Sequence, residues 1–318
     1  MNKPKVSIIT PTFNRAGFIE RTVRSVLAQT YDNVEYIIVD GGSADSTVEI
    51  LDKYAQQGKL MYISEPDNGM YDAINKGFRM SSGDILAYLN SDDAYFPWTI
   101  STAVDRLMNE RVDLVCGDTL VQDVEGNTIR LSIWPRVSAC YLKTGHLIAQ
   151  PTVFMKRKMF LNLGDFGKEV KLLGDCEYWL RAMEANYRIE NVHELLAIEC
   201  DHEETIRVRL RQQIDAEKAF LRTRYKAVSS RIILSGFYTM LKFLERETTY
   251  LGFKILLSQK LGNLAAWQNF RASYVCKFSL FDYYVSKAKI AKLYDRIWYV
   301  KKRTGSSLSM GFQNGDYR

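Results

Sequence analysis

The feature that most limits what this chain can fold into is the alternation along its front of short β-branched runs with segments of helical spacing. Val6-Ser-Ile-Ile-Thr10 is strand-like, and Ala16 to Gln29 follows with Phe18, Ile19, Val23, Val26 and Leu27 on a helical repeat. Val34-Glu-Tyr-Ile-Ile-Val-Asp40 closes on Gly41-Gly42, which predicts a buried strand running into a turn. Ser43 to Tyr54 is predicted helical, with Ser43 or Asp45 at its N-cap. Leu60 to Ser64 and Asp84 to Leu89 predict strands on either side of a helix near Ala73 to Met80. Asp113 to Cys116 adds another strand, and the pattern around Glu125-Gly126-Asn127 predicts a hairpin. Strands alternating with helices predict an α/β fold, a mostly parallel sheet covered on both faces.

The rear differs. All six prolines (Pro4, Pro11, Pro66, Pro97, Pro135 and Pro151) precede residue 152. From about Thr205 the chain reads as long helices, with Phe, Tyr, Leu and Ile at helical spacing and Lys or Arg between them. Residues 1–202 carry 21 Lys and Arg against 28 Asp and Glu, a balance of −7, whereas residues 203–318 carry 22 against 9, a balance of +13. The division predicts a domain over 1–204 and a basic, aromatic-rich helical region over 205–318, with different partners. With 47% apolar and 25% charged residues the chain is globular rather than disordered. Five scattered cysteines without a CxxC spacing predict reduced thiols in a cytoplasmic protein, and three histidines argue against a His-rich metal centre. No apolar run reaches the roughly 20 residues of a spanning helix; Ile232 to Leu241 is cut off by Lys242. Neither export nor a membrane span is expected.

In open α/β sheets, ligands bind outside the carboxyl ends of the strands. Three such ends carry polar clusters: Thr10-Pro-Thr-Phe-Asn-Arg15, Asp40-Gly-Gly-Ser43 and Asn90-Ser-Asp-Asp93. Asp92 and Asp93 supply hard oxygen ligands, suited to a Mg2+ or Mn2+ ion bridging a diphosphate. They suit equally the N-cap of a helix starting near Pro97.

Six separated segments carry a resemblance. They are Val6-Ser-Ile-Ile-Thr-Pro-Thr-Phe-Asn-Arg15, Ile37-Ile-Val-Asp-Gly-Gly-Ser43, Glu65-Pro-Asp-Asn-Gly-Met-Tyr-Asp-Ala-Ile-Asn-Lys-Gly77, Ser82-Gly-Asp-Ile85, Leu89-Asn-Ser-Asp-Asp93 and Gly174-Asp-Cys-Glu-Tyr-Trp-Leu-Arg181. In order and spacing the chain resembles a family 2 glycosyltransferase of the GT-A fold, in the branch similar to bacterial polysaccharide and lipopolysaccharide enzymes. Where that family usually has Asp-x-Asp, this chain reads Ser91-Asp92-Asp93, which leaves open how the two carboxylates divide ribose contact and metal ligation. The resemblance implies a nucleotide-sugar donor, UDP-sugar above all. Asp40 would accept from the N3–H of a uracil-like base, with Thr10, Pro11 and Thr12 lining base and ribose, and Asn14 and Asn90 would belong to the same nucleotide-sugar site. Arg15 would meet diphosphate oxygens or stand exposed on the first helix. Tyr71, Asp72 and Lys76 would belong to the nucleotide site or form a solvated helix face, and Asn75 would fix the local turn by bonding backbone.

Asp175 takes the family's base position in a single inverting displacement, accepting the proton of the acceptor hydroxyl; its alternative is to cap a helix. Glu177 and Trp179 follow it as supporting groups. His146 and Gln150 resemble an acceptor-site segment, and His202 stands where it would approach the metal. The basic rear, with Trp267, Phe270, Tyr274 and Trp298, suits an anionic membrane surface on the inner face of the cell membrane and a lipid-linked saccharide acceptor. Packing in a homo-oligomer is the alternative. Nucleic acid is not expected, for no binding motif accompanies the charge. A nucleotidyltransferase would need a Gly-rich basic loop, which Thr10 to Gly17 lacks. A non-catalytic nucleotide-sugar-binding scaffold stays open as the second reading.

Overall fold

The computed structural model describes residues 3–132, 148–202, 205 and 210–225. Chain order runs β1 (Val6–Thr12), α1 (Ile19–Leu27), β2 (Val34–Asp40), α2 (Thr47–Ala55), β3 (Met61–Ser64), α3 (Met70–Met80), β4 (Ile85–Tyr88), β5 (Ala94–Tyr95) and α4 (Thr99–Leu107). It continues through β6 (Leu114–Gln122), β7 (Thr128–Ser132), β8 (Phe154–Lys156), α5 (Arg157–Leu163), α6 (Gly174–Glu184), β9 (Ile189–Cys200) and α7 (Arg211–Arg224).

One sheet holds all nine described strands in the order β3-β2-β1-β4-β8-β6-β9-β5, with β7 paired to β6. The front four, β3-β2-β1-β4, are parallel, as the helix–strand alternation predicts. Beyond β4 the sheet becomes mixed: β8 runs antiparallel to β4 and β6, β7 to β6 and β5 to β9, while β6 and β9 are parallel. The prediction of a mostly parallel sheet therefore holds for its front half.

Side-chain alternation explains why both faces are covered. In β1, β2 and β4 the residues Ile8, Ile38 and Ala87 enter one apolar cluster, and their neighbours Ile9, Ile37 and Leu86 enter the other. Successive side chains of a strand point to opposite faces, so each strand feeds both layers. α1, α2 and α4 cover one side through Val23, Leu51 and Ile100; α3 and α6 cover the other through Ile74, Phe78 and Trp179. α7 joins the second cluster through Ile214 and Leu221, with Tyr225 just beyond it. The first residues past the expected 204/205 boundary thus share a core with the front. Among the described residues no helix is long and apolar enough to cross a membrane.

Candidate active site

The parallel register brings the polar clusters to one edge. Thr12 lies opposite Asp40, and Ile9 opposite Tyr88. The carboxyl ends of β2, β1 and β4 are therefore neighbours, at the roughly 4.8 Å spacing of adjacent strands.

Asp40 is fully buried, and its carboxylate organises the turn after β2. It accepts the N–H groups of Gly42 at 3.1 Å and Ser43 at 2.8 Å, and the hydroxyls of Ser43 and Ser64. Three of the four donors go to Oδ2 and one to Oδ1, so Oδ1 keeps an acceptor position for a further donor such as a base N–H. The turn also needs glycine, since Gly42 has φ of 82°. Asn14, left-handed at φ of 51°, joins this turn to the one after β1. Its N–H donates to Ser43 Oγ at 2.7 Å and its Oδ1 accepts from Ala44 N–H at 2.9 Å. Arg15 stacks over Phe18 at 6.0 Å, and its backbone N–H donates to Thr47. Thr10 faces the interior, paired with Tyr36 Oη at 3.1 Å, and Pro11 is buried. Thr12 Oγ1 is buried without a hydrogen-bond partner.

At the end of β4, Asp93 is buried and Asp92 more open. Neither caps α4, whose N-cap is Trp98. Asp93 Oδ1 accepts from Cys200 N–H at 3.2 Å, and Thr22 reaches the backbone carbonyls of Ser91 and Asp93 at 2.9 and 2.7 Å. Asp92 Oδ2 lies 3.1 Å from His202 Nε2, while His202 Nδ1 is buried without a partner and the ring stacks on Phe18 at 4.6 Å. Asn90 is fixed by Gln150: its Nδ2 donates to Gln150 Oε1 at 3.2 Å, and Gln150 Nε2 donates to Tyr88 O at 2.8 Å. Asn90 Oδ1 stays buried and unpartnered.

Asp175 stands in the first turn of α6. Tyr71 Oη lies 3.2 Å from its Oδ1 and accepts its N–H at 3.1 Å; Cys176 N–H donates to the same carboxylate oxygen at 2.8 Å. Burial raises the Asp175 pKa above the usual carboxylate value, against the pull of the Cys176 and Tyr71 hydrogen bonds. The phenol of Tyr88, at the end of β4, is pushed well up by burial first, and then by the charges of Asp175 and Asp93.

The other expected residues have partners of their own. Asp72 Oδ2 accepts from Asn68 N–H at 3.1 Å, and Lys76 pairs with Glu65 at 2.6 Å. Asn75 bonds backbone, but far along the chain rather than in its own turn: it donates to Phe166 O at 3.1 Å and accepts Phe166 N–H at 2.8 Å. Glu177, with no exposed surface, is held by Arg181 at 2.6 Å and Tyr225 at 3.1 Å. Trp179 is a core residue, edge-on to Phe166 at 5.7 Å. The i, i+2 spacing turns Glu177 away from Asp175 to another buried face of α6. His146 lies outside the described residues. Sequence reading missed Thr22 and Glu217, neither of which belongs to a recognisable pattern.

The donor set fits a divalent cation held largely by a diphosphate. Among the described residues no three His, Cys, Asp or Glu side chains gather as a ready-made metal cage. Mg2+ and Mn2+, however, commonly use one or two carboxylates and take the remaining ligands from phosphate and water. Asp92 offers such a carboxylate, and the unpartnered buried nitrogen of His202 marks the adjoining space as polar.

Comparison with known proteins follows this geometry. Residues 7–164 match the family model described as glycosyl transferase family 2. An uncharacterized glycosyltransferase of Mycobacterium tuberculosis is 33% identical over 182 residues, covering 56% of this chain and 69% of the relative. The chain spans 64% of the length of an uncharacterized glycosyltransferase of Rickettsia typhi, at 28% identity over 65% of its own. Two solved structures share the fold. One is a mannosyltransferase of Pyrobaculum calidifontis in complex with GDP-Man and Mn2+, with TM-score 0.55, 18% identity and coverage of 71% of this chain and 70% of that one. The other is S. aureus TarS 1-349 in complex with UDP-GlcNAc, with TM-score 0.53, 18% identity and coverage of 74% and 75%.

Proposed function

The chain belongs to glycosyl transferase family 2 and is a glycosyltransferase, and we propose that it moves a sugar from a UDP-sugar to an acceptor hydroxyl with inversion, Asp175 serving as base. The acceptor in this reading is a lipid-linked or growing polysaccharide. The observation that carries it is the buried Asp175 carboxylate, held by Tyr71 in the first turn of α6.

The acceptor O–H gives its proton to Asp175, its oxygen bonds to the anomeric carbon, and the bond from that carbon to the UDP oxygen breaks on the opposite face. Burial of Asp175 strengthens it as a base, because a raised pKa brings a carboxylate nearer the operating pH. Tyr71 holds it in one orientation, so little reorganisation is left to the reaction. Asn90 Oδ1 and Thr12 Oγ1, both buried without partners, are the polar atoms offered to donor hydroxyls. Asp92 and Asp93 would hold Mn2+ or Mg2+, which supplies Lewis-acid stabilisation of the leaving diphosphate. Solved relatives of like fold carry GDP-Man with Mn2+ and UDP-GlcNAc, which supports the donor class. The charge of residues 203–318 supports attachment to an anionic membrane surface at the inner face of the cell membrane, where a lipid-linked acceptor would be met.

The test is UDP release by the full chain with UDP-sugars, Mn2+ and a membrane lipid extract. Asp175→Asn should keep the thermal shift given by UDP and lose transfer by roughly a hundredfold or more. A near-wild-type rate in that variant rejects the base assignment. Absence of UDP release from every donor favours the scaffold reading.

A further inference from the structure

We propose that Glu217 is a positioning residue for Asp175: reaching in from α7, it clamps the backbone that delivers the base. The proposal rests on the reading of Asp175 as base. Glu217 Oε1 accepts from Lys171 N–H at 2.9 Å and Leu172 N–H at 3.2 Å, and Oε2 accepts from Leu172 N–H and Leu173 N–H at 2.9 Å each. One carboxylate thus takes three successive amides immediately ahead of α6.

Those amides matter because helix starts leave donors without intrahelical partners, and a negative charge is favoured there. Leu173, the N-cap of α6, has no side chain that can cap. A carboxylate two residues into the helix would ordinarily be drawn back to that task. Here Asp175 Oδ1 takes the first-turn amide of Cys176, and Glu217 takes, from another element, the amides leading into the helix up to Leu173 at its N-cap, so that the entry to α6 is fixed with Asp175 turned to Tyr71. The clamped segment reaches the base by a second route, since Tyr71 Oη also lies 3.3 Å from Leu172 O.

The clamp is itself anchored. Ile214 and Leu221, three before and four after Glu217, share its face of α7 and are buried with Val170, Leu173 and Trp179. Arg224 pairs with Glu169 at 3.3 Å. Glu217, the segment it clamps and Asp175 all lie beyond residues 7–164, the stretch that the family model matches, while Tyr71 lies within it.

The experiment compares Glu217→Ala and Glu217→Gln in the full chain, with Tyr225→Phe as a control that keeps the carboxylate. Glu217→Ala should lower kcat for transfer roughly tenfold to a hundredfold, with donor KM and the UDP thermal shift unchanged. Glu217→Gln, which retains a carbonyl acceptor, should recover part of the loss. Amide exchange at Leu172 and Leu173 should quicken in both, and in neither position for Tyr225→Phe. Unchanged exchange, or wild-type kcat despite quickened exchange, overturns the proposal, as does a loss of donor binding equal to the loss of turnover. If Glu217→Ala does not fold, Glu217→Gln decides by the same readings. Asp175→Asn, assayed alongside, keeps the two ideas apart: turnover there removes the base while the exchange arm still reports on the clamp.

Discussion

Tyr71 and Asp175 meet through two hydrogen bonds, the phenol donating to the carboxylate and accepting the backbone N–H of the same residue. The first stabilises the charged form of Asp175 and so opposes the rise caused by burial. Tyr71→Phe removes that opposition, and the Asp175 pKa should climb further. In the proposed role Asp175 works only when unprotonated, so activity should fall as pH drops through that pKa. The acid limb of kcat/KM should therefore stand above the usual carboxylate range in the native enzyme and move to still higher pH in Tyr71→Phe. A hydrogen bond to a charged group contributes about 1.5–3 kcal/mol, so the variant should also lose roughly tenfold or more in kcat near neutral pH. A pH–rate profile checks both, and an acid limb that stays in place would remove Tyr71 from the proton-transfer assembly.

At the scale of elements, the site depends on α3 lying close on β1, since Tyr71 rides on that helix. Gly77 makes this approach possible: a Cβ there would collide with Ile9 Cγ2, in the interior of β1. Gly77→Ala gains helix propensity but overpacks a strand that is buried on both sides. Overpacking of this kind costs about 1–3 kcal/mol, and the variant should show a lower Tm with weakened transfer. An unchanged Tm would mean that α3 can lift off β1 freely. The parallel elements were legible because their signals are local: apolar period, glycine turns and β-branched runs mark β1 to β4 without knowledge of partners. Pairing of β8 and β9 was not, because register across long separations leaves no mark in either strand. The same division runs through the site. Asp40, Asp92, Asp93 and Asp175 occur in recognisable segments, whereas Glu217 is one acidic residue in a helix of mixed charge, and only the fold brings it to Leu172. The duties of Glu177 and Trp179 were also hidden, because the motif gives their order in the chain but not which face of α6 is buried.

For the whole molecule, charge is the property that its parts do not share. A balance of −7 over residues 1–202 faces +13 over residues 203–318, so an anionic surface repels one region and attracts the other. Each Lys or Arg near such a surface contributes about 1 kcal/mol, enough in sum for firm attachment from a fraction of the rear's 22 basic side chains. Attraction of this origin is screened beyond about 8 Å at physiological salt, which separates it from apolar insertion. The full chain should sediment with phosphatidylserine-containing vesicles, fail to sediment with phosphatidylcholine alone, and detach as salt is raised towards 1 M. Transfer to a lipid-linked acceptor in the same vesicles should fall with salt more steeply than release of UDP to water or to a soluble acceptor, since only the former needs the surface. Equal binding to neutral vesicles would assign attachment to the aromatic residues. A chain that ignores both vesicles but runs as a dimer would assign the rear to self-association, and lipid access would then have to come from another partner.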